Sequence, residues 1–335
     1  MITAVHFRNF KVLRSAAVRL EPFNLLIGPN GSGKTSLIQA MLRLRTLAAL
    51  PVTHAHELEG QRPEGPRIEF AFGAPFREVR VILGCNTDEL VCNQLVVDHP
   101  PGADGERQWT ELRDWLRSIR AYLFDHYAMA VPAKRADGAE LASNAGNLAA
   151  VLAARRAAEP AAMALLEDEF RRVMPEFSAL VLRDAPDDRV ELAARLAGGD
   201  EVVAADSLSQ GTLYFLAILA LAYAPRPPGV VCLEEADRGV HPRMLREVRD
   251  ALYRLSYPRD AGLDRAPVQV VTTTHSPYLL DLFRDHPEEI VLADKQGQAA
   301  TFKRLTDRED LRELMQEANL GDLWYSGILG GVPGQ

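Results

Sequence analysis

Gly28-Pro29-Asn30-Gly31-Ser32-Gly33-Lys34-Thr35 is the stretch on which the fold turns. It follows a short apolar run, Phe23-Asn24-Leu25-Leu26-Ile27, that reads as a buried strand, and it opens a segment expected to be helical from Gly33 to about Leu50. The octapeptide matches the phosphate-loop pattern at every defined position, in the strand–loop–helix setting that the pattern requires. Glycines let the backbone turn tightly enough for successive N–H groups to face one anion, and the helix adds its positive N-terminal end. Lys34 would contact the β and γ phosphates of a nucleotide and Thr35 would coordinate magnesium. The expected nucleotide-binding stretch is therefore Gly28, Pro29, Asn30, Gly31, Ser32, Gly33, Lys34, Thr35 and Ser36. A glycine-rich turn with a stray lysine is the alternative, and the flanking strand and helix speak against it.

A phosphate loop alone does not separate kinases, GTPases, motors and transporters, so other motifs must decide. Val230-Val231-Cys232-Leu233-Glu234-Glu235 reads as an apolar strand that delivers two adjacent carboxylates, which strand alternation would aim in different directions. Glu234 would face the metal, and Glu235 would orient or deprotonate the attacking water. Two glutamates at a solvated loop start are the bland alternative. Leu208-Ser209-Gln210-Gly211-Thr212 opens an apolar helix, where Ser209 and the N–H groups of Gly211 and Thr212 would form an anion receptor. An ordinary serine N-cap predicts the same local fold without a second chain. Thr272-Thr273-Thr274-His275-Ser276-Pro277 follows a valine-rich strand, and His275 there is either a γ-phosphate contact or a capped structural residue.

With these motifs in this order, the chain resembles the ABC ATPase superfamily, specifically its RecF-like and SMC-like branch, related to the overcoming-lysogenization-defect family. The resemblance covers nearly the whole chain. It implies an α/β fold, a P-loop NTPase of ABC ATPase type with a mixed sheet and an inserted helical lobe. Residues 208–212 are similar to the ABC signature, with Gln210 and Thr212 in place of the commonest residues; in the family this motif, here Ser209 and Gly211, completes the nucleotide site of the opposite subunit. The resemblance thus implies ATP and Mg2+ as ligands and a homodimer that closes head to tail on ATP. It gives Lys34, Glu235 and His275 the catalytic roles and Thr35 and Glu234 the metal. Asp237-Arg238-Gly239-Val240-His241-Pro242 is similar to the D-loop, in which His241 reads as structural or interfacial. His6-Phe7-Arg8-Asn9-Phe10-Lys11 is similar to the first-strand motif of the DNA-related branch, with Arg8 facing either the nucleotide or solvent. DNA and a nuclease or other effector acting in trans are the partners this branch implies, in repair or anti-phage defence. Glu234 departs from the usual aspartate, and the residues after His275 are too few for a TOPRIM nuclease domain.

Outward from these motifs, the expected organisation is a first ATPase lobe at 1–108, an inserted helical lobe at 109–205 and a second ATPase lobe at 206–335. Residues 2–10 alternate as an exposed edge strand would, Arg67–Phe72 and Glu78–Leu83 read as strands, and Trp109–Met174 reads as helical, with Leu112, Trp115, Leu116 and Ile119 on one face. Sustained heptads are absent, so the long arms of an SMC protein are not expected. The 335 residues suffice for a sizeable core, and 47% hydrophobic and 25% charged residues exclude wholesale disorder. A net charge of −8 excludes a uniformly basic coat but not a local basic groove. Cys85, Cys92 and Cys232 lack the pairing of a zinc site or disulfide framework, which fits a reducing cytoplasm. No apolar run is long enough to span a bilayer, so no membrane partner is expected. His54 and His56 lack further ligands at metal-site spacing. The competing functions are the nucleotide-binding subunit of an ABC transporter, disfavoured by the opening motif, and a non-hydrolysing ATP-dependent interaction switch.

Overall fold

A computed structural model describes residues 1–50, 65–84, 92–297 and 299–330. Its elements begin with β1 (Ile2–Phe10), β2 (Leu13–Arg19), β3 (Phe23–Ile27), α1 (Lys34–Ala48), β4 (Arg67–Phe72), β5 (Arg80–Gly84), β6 (Gln94–Asp98), α2 (Ala103–Arg117) and β7 (Arg120–Tyr122). The middle holds α3 (His126–Met129), β8 (Ala133–Lys134), α4 (Leu148–Ala158), α5 (Pro160–Val173), β9 (Phe177–Ala185), β10 (Arg189–Leu196), β11 (Val202–Ala204) and α6 (Gln210–Ala222). The remainder is β12 (Val230–Leu233), α7 (Leu245–Ser256), β13 (Gln269–Thr273), α8 (Pro277–Asp281), β14 (Ile290–Gln296), β15 (Ala299–Arg304), α9 (Leu311–Glu317) and α10 (Leu320–Tyr325). Two compact units result, one of Met1–Ala121, Pro228–Glu234 and Pro267–Gln335, the other of Tyr122–Pro227 and Glu235–Ala266.

The first unit contains a five-stranded sheet in the order β2-β1-β4-β5-β6, antiparallel at every pairing. Contrary to the edge strand expected from residues 2–10, β1 is internal, paired with β2 on one side and β4 on the other. Its alternation reflects one face turned to the core, through Ile2, Val5, Phe7 and Phe10, rather than a free edge. The expected strand at Glu78 begins only at Arg80, because Val79 N–H closes a turn onto the Phe76 carbonyl. A second sheet runs β15-β14-β3-β13-β12-β7. In it β14, β3, β13 and β12 are parallel and β15 is antiparallel. Every residue of β3, β12 and β13 is buried, as expected of parallel strands covered on both faces. α1 buries Leu37, Ile38, Met41 and Leu44 in a core that also takes in Leu26 of β3 and Phe7 of β1. Trp109, Leu112 and Leu116 of α2 belong to this same core, so the apolar face read as the start of an inserted lobe is spent on the first unit.

The second unit pairs an antiparallel sheet with helices. β10 sits among β8, β9 and β11 in a four-stranded arrangement. The segment read as helical up to Met174 thus also contains two short strands, β7 in the six-stranded sheet and β8 in a sheet completed by later residues. α6 is buried from Gly211 to Ala222, as a helix apolar on all sides must be. α7 is amphipathic, burying Leu245, Val248, Leu252 and Leu255 at helical spacing. Among the described residues, no helix is long and apolar enough to cross a membrane. Pro51, Pro63, Cys85, His54 and His56 lie outside the described residues.

Candidate functional site

β3 runs straight into the glycine-rich loop. Gly28 has φ 149, and a Cβ there would stand 2.0 Å from the backbone carbonyl oxygen of Ala293 on neighbouring β14, so no larger residue fits. The loop folds on itself through Ser32 N–H donating to the Pro29 carbonyl at 3.3 Å. α1 then starts at Lys34 with no side-chain cap, Gly33 being left-handed at φ 94. A helix N-terminus without a side-chain acceptor is an anion-binding arrangement when a loop of N–H groups precedes it. The Lys34 ammonium folds back to donate to the carbonyls of Gly28 at 2.8 Å and Pro29 at 3.0 Å. Ser32 is 1% exposed, and its hydroxyl has no partner among the described residues. A buried hydroxyl left unsatisfied is costly, and a phosphate oxygen in the cradle would satisfy it. The residues present therefore fit a nucleotide phosphate.

β12 ends at Leu233, and Glu234 follows. Thr35 Oγ1 donates to Glu234 Oε2 at 2.9 Å, joining the start of α1 to the end of β12. Between them lies β13, whose Thr272 hydroxyl donates to the Leu233 carbonyl at 2.9 Å. β13 continues its pairing with β3 through Thr274 N–H to the Leu26 carbonyl at 3.2 Å. The exposed His275 comes next, before Ser276 caps α8 by accepting from Leu279 N–H at 3.2 Å. Gly28–Thr35, Glu234 and His275 thus leave the carboxyl ends of three neighbouring parallel strands, where open α/β sheets bind ligands. One hydroxyl and one carboxylate are a hard-oxygen donor pair that suits magnesium, which keeps phosphate and water oxygens for the rest of its shell. No group of three or more His, Cys, Asp or Glu suited to a metal occurs among the described residues. Behind the site, Cys232 is fully buried with its thiol pushed up to about 12, by burial first and by the Glu234 charge second.

The other expected site residues, Ser209, Gly211 and Glu235, belong to the second unit. Ser209 is exposed and caps α6, its Oγ accepting from Thr212 N–H at 3.1 Å and lying 2.8 Å from Thr212 Oγ1. This corrects the expected receptor in one respect: the Thr212 N–H is already engaged by the cap and is not available to an anion. Gly211 is buried, and a Cβ on it would stand 2.8 Å from the Gly239 carbonyl oxygen. Glu235 has a left-handed backbone at φ 54, and its Oε2 lies 3.7 Å from Arg238 Nε. Strand alternation therefore does not separate the two carboxylates, because the strand stops before either; the left-handed turn at Glu235 does. His241, read as structural or interfacial, accepts at Nδ1 from Arg243 N–H at 3.2 Å.

Further contacts come from the assembled chain. Lys295 brings its Nζ to 3.7 Å from where a Cβ on Gly31 would sit, a second amine beside the loop that no motif announces. Asn147 ties a loop together: its Oδ1 accepts from Ala142 N–H at 2.8 Å, and its amide donates to the carbonyls of Asp137 at 2.6 Å and Glu140 at 2.7 Å. The Leu320–Tyr325 segment is α10, which braces α8 through Gly321 N–H donating to Asp281 Oδ1 at 2.7 Å.

A family model described as "AAA domain, putative AbiEii toxin, Type IV TA system" matches residues 23–281. No curated protein matches the sequence. A solved structure described as the SmcHead bound to the C-winged helix domain of ScpA superposes with a TM-score of 0.60 at 15% identity, covering 90% of this chain and 96% of that one. The SMC head domain from Thermotoga maritima gives a TM-score of 0.47 at 14% identity, over 90% of this chain and 98% of that one. The fold is the mixed α/β fold of SMC-head P-loop ATPases.

Proposed function

The chain belongs to this AAA-domain family, and from that premise we propose that it binds ATP with magnesium on its first unit and hydrolyses it between two copies of itself. One observation carries the reading: the Thr35–Glu234 hydrogen bond of 2.9 Å at the foot of the phosphate loop. Gly28 to Ser36 would cradle the phosphates, and Lys34 would leave the carbonyls of Gly28 and Pro29 for the β and γ oxygens. Thr35 and Glu234 would hold magnesium, which when bound spreads the negative charge between those phosphates. Glu235 would align the attacking water and accept its proton, while His275 would contact the γ-phosphate. Ser209, with the Gly211 N–H, would approach the γ-phosphate of the partner copy, so that closing the pair completes each site.

The work driven by this cycle is, in our reading, DNA-associated repair or defence inside the cytoplasm, with a nuclease or other effector supplied in trans. The family description favours defence over repair. A second reading, an ATP-gated interaction switch that does not hydrolyse, has the Glu235–Arg238 pairing in its favour. Sedimentation of the Glu235→Gln chain with ATP and magnesium tests the first reading. A dimer that wild type forms only transiently is expected, whereas a chain that stays monomeric and turns over ATP at the wild-type rate would remove the catalytic assignment.

A further inference from the structure

Resting on the ATPase reading above, we propose that Arg238 is a positioning residue that restrains Glu235 in the resting chain and must release it for turnover. Among the described residues, Glu235 is one of six other than glycine with a positive φ, here 54. Such a conformation persists only where the surroundings over-determine it. The turn that imposes it is closed by Arg238 N–H donating to the Glu235 carbonyl at 2.9 Å. That closure brings the Arg238 side chain back over Glu235, with Nε 3.7 Å from Oε2.

The turn has a firm seat. Val240 N–H donates to the Asp237 carbonyl at 3.1 Å, and a Cβ on Gly239 would stand 2.4 Å from Cδ of Gln210, the first residue of α6. The backbone is therefore held while the two charged side chains remain about half exposed, at 47% for Arg238 and 45% for Glu235. An ion pair of that exposure is weak and screened by salt, which suits a contact made and broken in each cycle. While it is made, a carboxylate oxygen that would accept a proton from water faces a guanidinium instead.

The test is the ATPase rate of the full chain at saturating ATP, for wild type, Arg238→Gln and Arg238→Lys, in low and high salt, with Glu235→Gln as a control. Arg238→Gln is expected to run roughly two- to fivefold faster than wild type at low salt, the range an exposed ion pair can supply. The gap should close near about 1 M salt, where the screening length is about 3 Å. Arg238→Lys should stay close to wild type. An Arg238→Gln chain as slow as wild type or slower at low salt overturns the proposal, as does an acceleration that high salt leaves unchanged. The control separates the two claims. A Glu235→Gln chain with the full rate removes the catalytic reading of Glu235, whereas an inactive one beside an unaccelerated Arg238→Gln chain removes only the restraint by Arg238.

Discussion

The Thr35 hydroxyl donates to the Glu234 carboxylate at 2.9 Å, across a sequence separation of 199 residues. This contact ties the phosphate loop to the end of β12, at the position where the resemblance has an aspartate. The longer side chain reaches Thr35 directly. Thr35→Ala should therefore cut turnover by at least tenfold while lowering stability by only about 1 kcal/mol, the usual worth of a single hydrogen bond. ATPase assays across a magnesium titration, read beside thermal unfolding, check both halves.

Lys34 gives a binding prediction. Lys34 is 7% exposed, and its ammonium donates to two loop carbonyls in the resting chain. Lys34→Ala should leave the fold intact yet weaken ATP binding about ten- to a hundredfold, as expected for losing charge-assisted hydrogen bonds of about 1.5–3 kcal/mol. Calorimetric titration of the chain with ATP and magnesium measures it.

Much of this site could be read from the residues. The phosphate loop, the apolar strand before the paired glutamates and the strand before His275 each carry a local signal, and β3, β12 and β13 form where that signal places them. What could not be read is what depends on pairing partners. Strand β1 alternates as an edge strand does, yet β4 pairs with its second side across a stretch of chain that no local pattern spans. The apolar face of α2 is the same whether it packs in an inserted lobe or beside α1, and only the assembled core decides. Ser209 illustrates the same limit at the site: cap and phosphate receptor need the same side chain, and the hydrogen bond to Thr212 N–H fixes which backbone donors remain. Arg238 and Lys295 gain their interest solely from what the fold brings near them.

Gly28 allows a sharper test of the loop than the lysine does. With a carbonyl oxygen 2.0 Å from any Cβ, Gly28→Ala should destabilise the chain by more than about 3 kcal/mol. Gly102→Ala is the comparison, because Gly102 has φ 94 and ψ −178, with nothing within 4 Å of the added carbon. Its cost should stay at about 1–3 kcal/mol, that of holding a side chain in this sparsely populated backbone region without a clash. Denaturant unfolding of both variants compares them.

Cys232 should be chemically silent in the native chain. It is fully buried, and its thiol is pushed up to about 12. The attacking species in thiol chemistry is the thiolate, which burial disfavours. Mass spectrometry after brief alkylation at pH 8 should find Cys232 unmodified in the folded protein and fully modified in denaturant.

Asn147 supports the second unit through three hydrogen bonds, to Ala142, Asp137 and Glu140, none of them a proposed nucleotide residue. Asn147→Ala should cost about 1–3 kcal/mol of stability, since each of the three lost bonds contributes about 1 kcal/mol and the carbonyls of the exposed Asp137 and Glu140 can turn to water. ATP affinity at a temperature where the variant is folded should equal that of wild type.

In the proposed function two copies share each nucleotide, and mixing two damaged chains tests that most directly. Lys34→Ala lacks the phosphate-binding half of a site and Ser209→Arg lacks the opposing half, so each alone should be inactive. Mixed, they should recover ATPase activity, because a mixed pair combines the intact loop of one chain with the intact Ser209 of the other. Two folded variants whose mixture stays as inactive as its components would contradict the shared site, and so would a Ser209→Arg chain that hydrolyses ATP normally by itself.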